Sequence, residues 1–193
     1  MMRRIERENT GLLMPGQDLL IAGYVGLSGT IALVRARYEE LRCWFSAEYL
    51  DHILHLEELL TEKDACYWAQ QGAAEWEPSG MGGILTTIWN LTGAYETGAE
   101  FYLRRIPVRQ ETIEICERLD CNPYRLYSRG CCLLTAASGS QLADVLAKDG
   151  IPAAMIGKIH SGIAREIING DGHGYLERPQ PDEILKVIPD FRE

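Results

Sequence analysis

Leu19-Leu20-Ile21-Ala22-Gly23-Tyr24-Val25-Gly26-Leu27-Ser28-Gly29-Thr30 passes from an apolar run, through glycines, into a helical pattern that continues from Ile31 to about Leu41. The run over Asp18 to Tyr24 is too short for a helix, and its glycine flanks favour a buried strand. Gly26, Ser28, Gly29 and Thr30 therefore occupy a strand-to-helix turn, where backbone N–H groups are left over for an anion. A second junction, Glu77-Pro78-Ser79-Gly80-Met81-Gly82-Gly83, also opens directly into an apolar-periodic segment. Glu77, Ser79, Gly80, Gly82 and Gly83 join the first set as candidate ligand-binding residues. Two such turns point to a phosphate or carboxylate ligand. The same glycines would equally serve plain strand-to-helix turns, with Ser28 as an ordinary helix cap.

The 193 residues suffice for one well-buried domain and not for two of full size. With 46% hydrophobic and 24% charged residues the composition is that of a globular chain. A net charge of −9, with basic pairs only at Arg3-Arg4 and Arg104-Arg105, argues against a nucleic-acid partner. Met1 to Asn9 has positive charge but no apolar stretch behind it, unlike a secretory signal. No segment approaches the ~20 apolar residues needed to cross a bilayer. The expectation is a cytoplasmic protein whose six cysteines are thiols.

Residues 1–16 read as a polar lead-in, 17–188 as the domain and 189–193 as a tail. Ser46 is placed to cap a helix through Leu60, and Thr61 or Asp64 a short one through Trp68 to Gln71. Ile84, Leu85, Ile88, Trp89, Leu91 and Tyr95 recur at helical spacing, with Gly98 as the stop. Glu100 to Ile106 alternates like a half-exposed strand ahead of Pro107. Gln110 to Leu119 is helical, and Asn122-Pro123 breaks it. Cys131 to Ala136 is a buried strand, Ser138 or Ser140 caps a helix to Lys148, and Ala153 to Ile159 is again a strand. Arg165 to Ile168 is expected to pair back as a hairpin across Ser161-Gly162. The alternation gives an α/β (α+β) class, with helices flanking a mixed β-sheet.

Several segments together resemble the carboxy-terminal domain of the aminoimidazole ribonucleotide (AIR) synthase, or PurM, superfamily. They are Pro15 to Ala22 with Gly26 to Thr30, Ile106 to Thr112, Asn122 to Leu126, Ser128 to Gly130, and Gly150 to Gly157, in matching order over roughly residues 15 to 188. Within the superfamily the likeness is to the HypE-type hydrogenase maturation proteins. It implies an α/β domain that closes over a ligand beside a separate amino-terminal domain carrying the ATP and magnesium site. It also implies ATP-driven activation of an amide, carbamoyl or related oxygen. About 16 residues precede the resemblance, fewer than the ~100 a folded domain usually needs, so ATP and Mg are expected only if a partner chain supplies the nucleotide domain.

This sequence departs from the family pattern at the second turn, where Glu77-Pro78-Ser79 stands for Asp, Pro or Val, Thr, with one extra residue before Gly82-Gly83. It ends Pro189-Asp190-Phe191-Arg192-Glu193 without the carboxy-terminal cysteine of HypE enzymes, and its first cysteine is Cys43. The resulting expectation is a ligand-binding and assembly module that forms a homo-oligomer. The alternatives are one half of a split ATP-dependent enzyme and a ligand-free scaffold.

The remaining reactive side chains suggest less. His52 and His55, with Asp51 and Glu58 within a turn, have a spacing that could bind a metal, but no further ligand completes a shell, and no metal is expected. His160 and His173 have no evident nucleophile or acid partner in sequence, so no catalytic residue is assigned. Cys131 and Cys132, adjacent in a strand, point to opposite faces, and with Cys116 and Cys121 they read as small buried hydrophobes. Trp44, Trp68 and Trp89 read as core or partner-facing anchors. Trp76, next to the second turn, is the tryptophan placed to stack on a ligand.

Overall fold

The computed structural model describes residues 13–192, so most of the expected lead-in lies outside the described residues. Seven strands form one mixed sheet: β1 (Asp18–Ala22), β2 (Glu75–Pro78), β3 (Gly98–Tyr102), β4 (Cys132–Ala136), β5 (Ala153–His160), β6 (Arg165–Asn169) and β7 (Gly172–Tyr175). Their order is β2-β4-β1-β5-β3-β6-β7, and among these strands only the β3–β6 pair is parallel. The helices are α1 (Leu27–Leu41), α2 (Ala47–His55), α3 (Ala65–Gln70), α4 (Gly83–Ala94), α5 (Gln110–Arg118) and α6 (Gly139–Lys148). This is the expected α/β architecture of a mixed sheet flanked by helices. Among the described residues no helix is long and apolar enough to cross a membrane.

Alternation along the strands divides the core. Leu19, Ile21 and Leu133 face α4 with Ile84, Ile88 and Phe101, whereas Leu20, Ala22, Cys132 and Leu134 face α3 and α6 with Trp68, Trp76 and Leu146. Cys131 and Cys132 accordingly enter different cores. A third cluster lies beside the sheet, where α1, α2 and α5 enclose Leu126, Tyr127 and Ile184. All six cysteines are free thiols, four of them buried, and burial pushes the Cys121 thiol up to about 11 and the Cys131 thiol to about 12.

Two helix caps stand where the sequence places them. The Ser46 and Asp64 side chains accept from Tyr49 N at 3.2 Å and Tyr67 N at 2.8 Å. At α6 the expectation is corrected: neither Ser138 nor Ser140 caps the helix, and Asp18 Oδ2, from β1, accepts from Gly139 N at 2.8 Å while Lys158 sits 2.9 Å from its other oxygen. Asp18→Ala is therefore expected to cost about 1 kcal/mol and Ser138→Ala only a few tenths, by urea unfolding. An equal cost would show that the serine is the cap.

Three strand expectations are also corrected. Gly98 does not stop α4, which ends at Ala94; it opens β3, because a side chain there would lie 2.2 Å from Ala164 O. The strand expected over Glu100 to Ile106 ends at Tyr102 and continues as a 3₁₀ turn, Leu103–Arg105. The hairpin across Ser161-Gly162 does not form, since β3 enters between β5 and β6; β6 instead turns at Gly170 to pair with β7.

Candidate functional site

Both glycine junctions pack against one segment, residues 123–128, which runs as a 3₁₀ turn (Pro123–Arg125) into extended chain. A side chain at Gly29 would lie 2.5 Å from Leu126 Cγ and 2.7 Å from Tyr127 O. One at Gly83, whose φ is +64°, would lie 2.6 Å from Tyr124 O and 2.8 Å from Leu126 O. The glycines at these positions let two helix starts approach the same backbone from two sides.

That approach uses most of the donors that the turns leave over. At the first junction Gly26 N donates to Ser128 Oγ at 2.8 Å, and Gly29 N and Ser28 Oγ both donate to Tyr127 O. Thr30 Oγ1 donates to Gly26 O at 2.8 Å and lies 3.0 Å from Thr112 Oγ1. At the second junction Gly83 N donates to Gly80 O, and Gly82 N donates at 2.6 Å to Oδ2 of Asp182. The other Asp182 oxygen accepts from Tyr127 N at 3.1 Å and Ile184 N at 2.8 Å. The start of α4 thus holds an anion, and the chain itself supplies it. Burial raises the Asp182 carboxyl above its ordinary range, against the pull of its three N–H donors.

Gly26, Gly29, Thr30, Gly82 and Gly83 are buried behind these contacts and border neither of the two clefts beside them. Glu77, Ser79 and Gly80 do: with Thr86, Tyr127 and Arg129 they border an open cleft of about 510 Å³. Ser28 borders a neighbouring cleft of about 520 Å³ with Arg35, Glu57, Glu62 and Arg192, and the two clefts share Tyr127 and Arg129. Arg129 is oriented by Glu62, Nε to Oε1 at 2.7 Å and Nη2 to Oε2 at 3.2 Å, which also raises its pKa. Glu77 lies on β2 opposite Leu133, not in a turn, so the carboxylate is aimed by a sheet register. The structure therefore joins the two expected sites through a pair of residues the sequence reading did not single out. Tyr127 and Arg129 gave no local signal, because their placement depends on both glycine junctions. Asp182 had one, an acidic residue ahead of the apolar run from Ile184.

Other expected groups are spent locally. His55 Nδ1 lies 2.7 Å from Asp51 O and His52 Nε2 lies 3.4 Å from Glu111, and the described residues contain no group of three or more His, Cys, Asp or Glu suited to a metal. Trp76 is buried in the core, so it does not present a face for stacking. His160 and His173 converge on Glu166, at 4.0 and 2.9 Å.

Arg109 forms a fork with Glu111, at 3.1 and 2.8 Å, over the Tyr24 ring, and holds the Glu111 carboxyl below its ordinary 4.5. A carboxyl lowered in the folded state contributes stability in full above that ordinary value, and the contribution is lost as pH falls through the folded value. The urea midpoints of wild type and Glu111→Gln are expected to differ at pH 6 and to converge towards pH 3. A gap independent of pH would rule out the ion pair as its source.

No family model matches the sequence, and no curated protein matches it. Solved structures do share its fold. E. coli HypE, a hydrogenase maturation protein, superposes with a TM-score of 0.70 at 18% identity, over 93% of this chain and 55% of that one. A chain of a HypE–HypF complex gives a TM-score of 0.61 at 18% identity, over 88% and 55%. Thiamine-monophosphate kinase from Stenotrophomonas maltophilia K279a gives 0.59 at 16% identity, over 81% and 51%. The chain has the PurM-like fold expected from its motifs and spans about half the length of each of these neighbours.

Proposed function

We propose that this domain binds a small anionic or phosphorylated ligand in the cleft between Ser79, Thr86 and Arg129, and acts as a binding and assembly module of the HypE type. The observation that carries this reading is the placement of Arg129. Its guanidinium is held in a fork by Glu62 at the junction of two clefts, one of them lined by Ser79 and Thr86. An arginine held in this way is pre-organised for a phosphate or carboxylate. On this reading the module works in the cytoplasm as a homo-oligomer, and ATP and Mg take part only where a separate nucleotide domain is supplied.

Isothermal titration with inorganic phosphate, thiamine monophosphate and ATP–Mg tests this reading. Saturable binding of a phosphorylated probe, weakened at least about tenfold by Arg129→Ala, is the expected result. No binding up to millimolar concentration, or binding indifferent to Arg129→Ala, would overturn it.

A second reading makes the domain the ligand-binding half of a split ATP-dependent enzyme that activates an amide or carbamoyl group. The fold it would share matches about half of each neighbour. Native mass spectrometry separates the two. A homo-oligomer that retains a phosphorylated molecule supports the module, whereas a stable complex with a second chain, or ATP hydrolysis that appears only when that chain is added, supports the split enzyme.

A further inference from the structure

Arg109 and Arg165 are both half-buried, and each lies over an aromatic ring: Arg109 Cζ is 5.2 Å from the Tyr24 centroid and Arg165 Cζ is 4.1 Å from that of Trp89. Stacking of this kind stabilises a guanidinium and leaves its edge open to a planar acceptor. For Arg109 the acceptor is present, the carboxylate of Glu111. For Arg165 it is absent: among the described residues no carboxylate pairs with it.

The hydrogen bonds of Arg165 account for part of its capacity. Nε donates to Thr92 Oγ1 at 2.7 Å, and that hydroxyl in turn donates to Ile88 O at 2.7 Å, so its proton is committed and its lone pair faces the arginine. Nη1 donates to Ile163 O at 3.3 Å. A guanidinium has five N–H groups, so three have no partner among the described residues, and the nearby Ile163 side chain is 76% exposed. Desolvation lowers the Arg165 pKa, the opposite of the shift at Arg109, because no neighbouring carboxylate offsets it. The negative end of α4, whose last turn contains Thr92, keeps the cation in place.

We propose that Arg165, stacked on Trp89, is a second binding site, distinct from the cleft at Arg129, for an oxyanion carried by a small molecule. The ligand is a carboxylate or a phosphate monoester. It takes the Nη edge of Arg165, because Thr92 already holds Nε, whereas Glu111 takes Nε and Nη2 of Arg109. Trp89 and Thr92 fix the plane of the guanidinium before the ligand arrives, and Ile163 favours an apolar group next to the acid. The site lies on the same helix as Thr86 and Asn90 of the proposed cleft, but on residues that cleft does not use.

The test follows the Arg165 Nε–H and Trp89 Nε1–H resonances of the ¹⁵N-labelled full chain during titration with sodium acetate and, separately, methyl phosphate at constant ionic strength. A saturable shift confined to these two resonances is expected, with a roughly millimolar midpoint. Arg165→Lys, which keeps the charge and loses the fork, is expected to weaken it at least about fivefold. Tighter binding of methyl phosphate assigns a phosphorylated ligand, and tighter binding of acetate a carboxylate. Linear shifts shared by all arginine Nε–H resonances, or a midpoint unchanged in Arg165→Lys, would overturn the proposal. The wild-type titration alone decides the matter if the variant does not fold. Arg129→Ala should leave the Arg165 midpoint unchanged, so either site can fail without the other.

Discussion

Gly83→Ala is expected to destabilise the domain by about 4 kcal/mol or more, lowering the melting temperature by on the order of 10 °C or preventing folding. Backbone in the left-handed region costs a residue with a side chain roughly 1–2 kcal/mol. The larger part comes from contact. The added carbon would meet Tyr124 O at 2.6 Å, the Arg125 carbonyl carbon at 2.8 Å and Leu126 O at 2.8 Å, all main-chain atoms of the segment that also seats Gly29. That backbone cannot yield without disturbing the other junction. Gly150→Ala separates the two terms: Gly150 has φ +73° with nothing within 4 Å of the added carbon, so it should cost about 1–2 kcal/mol. Equal losses in the two variants, measured by thermal and urea unfolding, would mean that residues 123–128 do not constrain the helix start.

Asp182→Ala is expected to cost about 3–5 kcal/mol. It would leave Gly82 N, Tyr127 N and Ile184 N without their acceptor in a place where Asp182 itself is only 4% exposed, and a buried unsatisfied donor costs about 1–3 kcal/mol. Asp182→Asn keeps one acceptor oxygen and should lose less. The pH dependence has the opposite sign to that of Glu111. Because the folded-state pKa of Asp182 lies above its ordinary 3.8, the folded protein holds the proton more tightly than the unfolded chain, and the stability linked to this group declines as pH rises through the folded value. The stability difference between wild type and Asp182→Asn should therefore narrow from pH 3 to pH 6. A difference that widens would show that the three N–H donors outweigh burial.

Local chemistry made much of the fold readable. The apolar runs at Leu19, Leu133 and Ala153 became central strands, the caps at Ser46 and Asp64 formed, and both glycine junctions start helices. What could not be read depends on partners far along the chain. Glu75–Pro78 carries a proline and looks like part of a turn, yet it is an edge strand, where a residue without an N–H is tolerated. β7 is glycine-rich and forms only because β6 presents a free side to it. The supposed hairpin was excluded by β3, a strand more than fifty residues upstream of β6. For the candidate site, the sequence located the turns that want an anion but not that Asp182 would reach one of them from about 100 residues away. Nor did it locate Arg129, whose role depends on the clefts that those turns create.

The place of β1 at the centre of the sheet also bears on how the chain is made. β1 pairs only with β4 and β5, so Ala22 has no strand partner until Cys132 appears, about 110 residues later. At a synthesis rate of about 5–20 residues per second, Leu19 to Ala22 would stay unpaired for roughly 5–20 s after leaving the ribosome. These four residues are wholly buried in the finished domain. During translation the nascent chain therefore carries an uncovered apolar strand, the kind of segment that chaperones shield.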